Sequence, residues 1–216
     1  MSLLFVDGVT KSFGRKKILD NVSFSVSPGE VVGFVGRSGA GKSVLIKILI
    51  GFYKPDKGYV LISSNSKDPI GYSMQDNALY DQLTIRQNLH YFSEIHKISR
   101  RIKKERVELL INRLNLKEYE NVLLKNLSGG TKKRVDVACA LLTDPEIVIF
   151  DEPFLGLDPM LTDALADFII ALGKSGKAVF VSSHQTDVLN KISTRVVMLK
   201  GGKLYAIQKS QMREVY

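Results

Sequence analysis

The sequence predicts an α/β fold with a mixed sheet, antiparallel in its N-terminal part, and an inserted all-α lobe. Three observations predict it. Short apolar runs with strand character recur along the chain and alternate with segments of helical spacing. From residue 75 to about 126 the strand signals stop and helical periodicity takes over. A length of 216 residues with 44% hydrophobic and 25% charged residues suits one large, well-packed domain and argues against disorder.

The first third reads as β-structure. Leu3 to Val6 forms one apolar run, and in the next stretch Val22, Phe24 and Val26 alternate with polar neighbours before the turn Ser27-Pro28-Gly29. The run Val31-Val32-Gly33-Phe34-Val35 is a buried strand, and Val44 to Leu49 a helix closed by Gly51 and Pro55. Strands follow at residues 59–62 and 70–74. In the insertion, Thr84-Ile85-Arg86-Gln87 has capping-box spacing, and a second helix at about 102–114 places Val107, Leu110, Ile111 and Leu114 three and four apart. Strands resume at residues 147–150, 178–182 and 196–199. The last turns through Gly201-Gly202 into Lys203-Leu204-Tyr205-Ala206, a hairpin signal of the primed-turn kind. Helices lie between, at about 128–142, 160–172 and 186–192.

Between the strand ending at Val35 and the helix starting near Gly41 lies Gly36-Arg37-Ser38-Gly39-Ala40-Gly41-Lys42-Ser43, a full match to the phosphate-binding loop in its required strand-loop-helix setting. The fold class is thereby sharpened to a phosphate-loop NTPase core. Glycines let backbone N–H groups face a polyphosphate, and the helix presents its positive end to the same charge. Lys42 is placed to reach the β- and γ-phosphates, and Ser43 offers its hydroxyl to Mg²⁺. The motif predicts an ATP or GTP site.

The apolar run Ile147-Val148-Ile149-Phe150 ends in Asp151-Glu152. In a phosphate-loop protein the acid ending such a strand holds Mg²⁺, which assigns Asp151; a second carboxylate beside the γ-phosphate suits a general base, which assigns Glu152. Leu127-Ser128-Gly129-Gly130 opens a helix with a hydroxyl and glycine N–H groups, another anion-binding end whose anion the sequence leaves open.

Together these residues resemble the nucleotide-binding subunit of an ATP-binding cassette (ABC) transporter, over nearly the whole chain. The phosphate loop, Gln75 as glutamine loop, Leu127 to Gly130 as signature, Asp151 and Glu152, Leu157-Asp158 as D-loop and His184 as switch histidine occur in order. The resemblance implies ATP and Mg²⁺ as cofactors and head-to-tail pairing of two chains. Each phosphate loop then faces the other chain's Ser128, Gly129 and Gly130. It implies Phe13 stacking on adenine, His184 contacting the γ-phosphate, Gln75 linking Mg²⁺ or the attacking water to the helical lobe, and Asp158 at the shared site. It further implies an integral membrane transporter subunit as partner, contacting the region from Gln75 to Thr84 and including Tyr80.

A homodimer is expected, with a heterodimer as alternative. Leu79-Tyr80 with Leu83-Thr84 after Gln75, and the direct run from the signature to Asp151, are similar to exporter cassettes. Thr131 stands where the family usually has Gln. Phe154 and Leu155 replace small polar residues expected near the dimer face. The resemblance divides a single domain, 1–216, into a core lobe at 1–75 and 136–216 and a helical lobe at about 76–135.

The net charge of +9 fits a nucleic-acid partner, an anionic membrane surface or a Lys-rich proteome. A soluble cassette acting on ribosomes or nucleic acid is therefore the alternative function. A single cassette with a transporter-sized lobe speaks against it, so no nucleic acid is expected. A phosphate-loop kinase leaves Ser128 to Gly130 and His184 unexplained. The basic patches at Lys97 to Arg106 and Lys132-Lys133-Arg134 read as solvated helix faces, and Cys139, among apolar neighbours, as a buried structural thiol. No apolar run reaches membrane-spanning length and no secretory signal opens the chain, so a cytoplasmic protein, peripheral on the inner face of the membrane, is expected.

Overall fold

The computed structural model describes residues 2–74 and 78–210. Strands β1 (Leu4–Phe13), β2 (Lys16–Val26) and β4 (Lys57–Ile62) form an antiparallel sheet in the order β2-β1-β4. The larger sheet has the order β5-β6-β7-β3-β8-β9, built from β3 (Val31–Val35), β5 (Ile70–Ser73), β6 (Ile147–Asp151), β7 (Ala178–Ser182), β8 (Arg195–Lys200) and β9 (Lys203–Ile207). Its pairs are parallel except β8 with β9. There Gly201 and Gly202, both at positive φ, make the primed turn that their sequence signals.

The strands β3, β6 and β7 are buried at every residue, which is why they read as unbroken apolar runs rather than alternating ones. One face of the large sheet packs on the antiparallel sheet and on α1 (Lys42–Leu49), joining Leu4, Val6, Leu19 and Val22 to Phe34, Leu45 and Phe180. The other face packs on α5 (Pro159–Lys174) and α6 (Thr186–Ile192), and this second core runs on without a break into the helical insertion through Ile85, Leu89, Val107 and Ile111.

The insertion holds α2 (Ile85–Ile95), α3 (Arg100–Arg113), two 3₁₀ turns and the start of α4 (Gly129–Ala140). Thr84 and Gln87 form the capping box reciprocally, with N···O distances of 3.2 and 2.9 Å. Helix α4 packs on both α2 and β5 and so bridges insertion and sheet.

The second basic patch is not a solvated face. Lys133 and Arg134 are buried, because α4 is enclosed on nearly all sides; only Lys132 of the trio reaches outward, to Asp81 at 2.8 Å. Arg134 donates to the carbonyls of Leu114 and Asn115, and burial lowers its pKa. Cys139 packs against the core, and burial pushes its thiol well up. No helix among the described residues is long and apolar enough to cross a membrane.

Candidate functional site

The carboxyl ends of three adjacent parallel strands, β3, β6 and β7, converge on one edge of the sheet. The chain leaving β3 is the glycine-rich loop; the chains leaving β6 and β7 carry Glu152 and His184. A cavity of ≈ 410 Å³ opens there, walled by Arg37, Ser38, Gly39, Gly41, Lys42 and Ser43 on one side and by Asp151, Glu152, Leu155 and His184 on the other. Residues separated by more than a hundred positions are brought together because parallel strands deliver their following loops to the same end.

Gly41 is the N-cap of α1 at φ 106, and a Cβ there would lie 2.8 Å from Ile18 Cγ2, so only glycine fits. No side chain caps α1 and no acidic residue sits in its first turn, which leaves its N-terminal dipole aimed at the cavity. Lys42 is largely buried, its Nζ donating to Gly36 O at 2.5 Å. Burial lowers its pKa, opposed by the charges of Glu152 and Asp151. The donor set of uncapped N–H groups, Lys42 and Ser43 fits a polyphosphate. Gly36 and Ala40 line the adjoining cavity of ≈ 670 Å³, with Lys16, Lys17 and Lys200 at its rim.

Opposite the loop, Asp151 Oδ1 accepts from Ser182 Oγ at 2.5 Å, and the same serine accepts from Glu152 N at 3.1 Å. Glu152 adopts a left-handed φ of 50°, rare for a side-chain-bearing residue and costly in backbone energy. Its Oε2 accepts from the backbone N–H of His184 at 3.1 Å; its buried Oε1 makes no hydrogen bond among the described residues and lies 3.4 Å from His184 Nε2. Ser182 escapes a motif search, although its place two residues before His184 at a strand end marks it as facing this edge.

The other predicted residues lie elsewhere. Ser128 is the exposed N-cap of α4, its Oγ accepting from Thr131 N at 3.2 Å and lying 3.0 Å from Thr131 Oγ1. Gly129 is open, with nothing within 4 Å of a Cβ built there, whereas Gly130 packs on Leu157. Asp158 caps α5 by accepting from Leu161 N at 2.8 Å. None of these lines the cavity, nor does Phe13, which sits half-exposed at the end of β1 with its ring edge-on to Tyr53 at 5.5 Å. Gln75 lies outside the described residues. Phe154 corrects an expectation: it is fully buried in the core and not on a surface, because the turn after Glu152 points it inward and leaves Leu155 exposed.

The chain matches the family model described as ABC transporter over residues 19–155. It is 34% identical over 198 residues to the Uncharacterized ABC transporter ATP-binding protein MJ1023 of Methanocaldococcus jannaschii, spanning 92% of this chain and 74% of that protein. To the Daunorubicin resistance ATP-binding protein DrrA3 of Streptomyces coeruleorubidus it is 31% identical over 209 residues, spanning 93% and 66%. A solved ATP-binding subunit of an ABC transporter superposes with a TM-score of 0.87 at 26% identity, covering 99% of this chain and 93% of that one. With a nucleotide-shaped donor set facing two carboxylates at the end of a parallel sheet, the chain belongs to the ABC transporter family, as an ATP-binding subunit with ATPase activity.

Proposed function

We propose that two copies of this chain close around ATP and that the closure drives an integral membrane transporter subunit, with export as its direction. The observation that carries the reading is the division of the predicted site. Lys42, Ser43, Asp151, Glu152 and His184 wall one cavity, while Ser128 and Gly129 are exposed outside it, Ser128 engaged only with Thr131 of its own helix. A second copy supplies the missing wall. Leu155 and Met160, 59% and 77% exposed beside Asp158, give that interface its apolar area.

Within the closed site the α1 N–H groups and Lys42 hold the phosphates, and Phe13 offers a ring to the base. Ser43 and Asp151 are the residues that would hold Mg²⁺, which would neutralise the charge of the phosphoryl groups. Glu152 is the carboxylate that accepts the proton of the attacking water as the water oxygen bonds to the γ-phosphorus and the bond to the β-phosphate oxygen breaks. His184 steadies the γ-phosphate from the side, and Gln75 links this chemistry to the helical lobe. Partner contact through Gln75 to Thr84 places the subunit on the cytoplasmic membrane face. The likeness to a daunorubicin resistance protein supports export.

Glu152→Gln tests the reading. The variant is expected to bind ATP, to lose turnover by at least about a hundredfold, and to elute as an ATP-dependent dimer. Copurification from native membranes is expected to bring down a multi-spanning protein; ribosomes or nucleic acid in its place, or unaltered turnover in the variant, would sink it.

A further inference from the structure

We propose that Lys133 is a positioning residue of the ATPase reaction, holding the Asp151–Glu152 peptide and the end of β5 from the underside of the site. The proposal rests on the reading of Glu152 given above.

Lys133 lies on α4, one turn beyond Ser128, with 4% of its surface exposed. Taking an ammonium out of water is costly unless its three donors are satisfied. Here they are directed at three separate segments. Nζ donates to the carbonyl of Met74, which follows β5; it donates to the carbonyl of Asp151 at 3.4 Å; and it pairs with Asp136 Oδ2 at 3.6 Å. Asp136 in turn accepts from Ser73 Oγ at 2.5 Å, so the last residue of β5 is held through the same carboxylate. Burial lowers the Lys133 pKa, against the opposing pull of Asp136 and Asp151.

The Asp151 carbonyl and the Glu152 N–H belong to one peptide group. Lys133 reaches its oxygen at 3.4 Å, and its nitrogen donates to Ser182 Oγ at 3.1 Å. That peptide leads directly into the left-handed φ of 50° at Glu152, a conformation that persists only when its surroundings over-determine it. Its plane sets where the Glu152 carboxylate points. Lys133 therefore fixes the direction of the base from a helix that begins at the exposed Ser128, joining the two faces that the dimer brings against different nucleotides.

The competing role is charge balance for Asp136 alone, and the variants separate the two. Lys133→Met is expected to lower kcat by about tenfold or more while KM for ATP stays within about twofold, because misplacing a catalytic group costs the chemical step rather than binding. Lys133→Met combined with Asp136→Asn removes both buried charges and keeps an acceptor for Ser73. It is expected to unfold at the wild-type temperature and still to turn over slowly. Lys133→Arg, which keeps donors for the two carbonyls, is expected to recover most of the lost kcat.

Wild-type kcat in the double variant, a rise in KM with unchanged kcat in Lys133→Met, or an Arg variant no faster than the Met variant would overturn the proposal. Should the Met variant not fold, the double variant decides alone. Glu152→Gln assayed in parallel distinguishes the two levels. Full turnover there overturns the reading of Glu152 itself, whereas an inactive Gln variant beside a fully active Lys133→Met overturns only the role of Lys133.

Discussion

Glu152 and His184 meet across the ends of β6 and β7, the His184 backbone N–H donating to Glu152 Oε2 at 3.1 Å and His184 Nε2 lying 3.4 Å from Oε1. The His184 backbone thus holds one oxygen of Glu152, and the imidazole lies beside the other. The main-chain bond survives any substitution at 184 but proline, while the imidazole contact does not.

His184→Ala is accordingly expected to leave Glu152 oriented through the backbone and to remove only the contribution of the imidazole, in the proposed reading its contact to the γ-phosphate. Turnover should fall by about a hundredfold, a typical value for one polar group acting in the transition state, with ATP binding retained. Single-turnover hydrolysis with a parallel measurement of ATP binding checks this. A variant that loses ATP binding as completely as turnover would show that the imidazole serves ground-state affinity instead.

Much of this site is legible in the sequence because its chemistry is written in contiguous motifs. Gly36 to Ser43 needs its glycines at fixed spacing within one short loop to turn backbone N–H groups inward, and Asp151-Glu152 needs an apolar run before it to reach the buried end of a strand. The fold is legible for a related reason: β3, β6 and β7 are covered on both faces and read as unbroken apolar runs, while α2 announces itself through the Thr84–Gln87 box.

Lys133, Arg134 and Phe154 were not legible. A lysine on a helix reads as solvated unless one knows that α4 is enclosed by α2 and β5, and that the carbonyls of Met74 and Asp151 end beneath it. Those are contacts between residues far apart in the chain, which no local pattern encodes. The direction of Phe154 depends on the left-handed turn at Glu152, and nothing in the residue type of a glutamate predicts that conformation.

Arg86 gives the helical insertion a pH dependence. Its guanidinium donates to Glu108 at 2.7 Å and to Glu120, and its own N–H donates to the Glu120 carbonyl at 3.0 Å. The hydrogen bonds from Arg86 hold both carboxyls below the usual glutamate range, with Lys117 assisting at Glu120. A depressed folded-state pKa means that the unfolded chain takes up the proton first. The stabilisation is therefore complete above the ordinary glutamate range and is lost as pH falls through the folded-state values.

Glu108 is open to solvent and Glu120 partly so, and screening keeps the effect modest. Thermal unfolding of the wild type and of Arg86→Met is expected to differ at neutral pH and to converge as the pH falls below the ordinary glutamate range. A gap that stays constant over that range would mean that Arg86 stabilises by packing its stem and not by charge.

Phe154 and Leu155 are neighbours in sequence with opposite fates, and the pair separates stability from assembly. Phe154 is fully buried among the core residues that include Leu165 and Val181, so Phe154→Ala leaves a cavity and is expected to cost about 3–5 kcal/mol of unfolding free energy. Leu155 is 59% exposed and walls the nucleotide cavity, so Leu155→Ser is expected to shift stability by no more than about 0.5 kcal/mol. Its effect should appear in assembly, because a polar group there weakens the apolar contact that a second copy would make. In a Glu152→Gln background, Leu155→Ser is expected to raise the ATP concentration needed for dimer formation, while Phe154→Ala lowers the urea midpoint and leaves that concentration unchanged as long as the chain stays folded. Urea unfolding and ATP-titrated size-exclusion chromatography read the two effects separately. An unaltered dimer in Leu155→Ser would place the second copy's contact away from this turn.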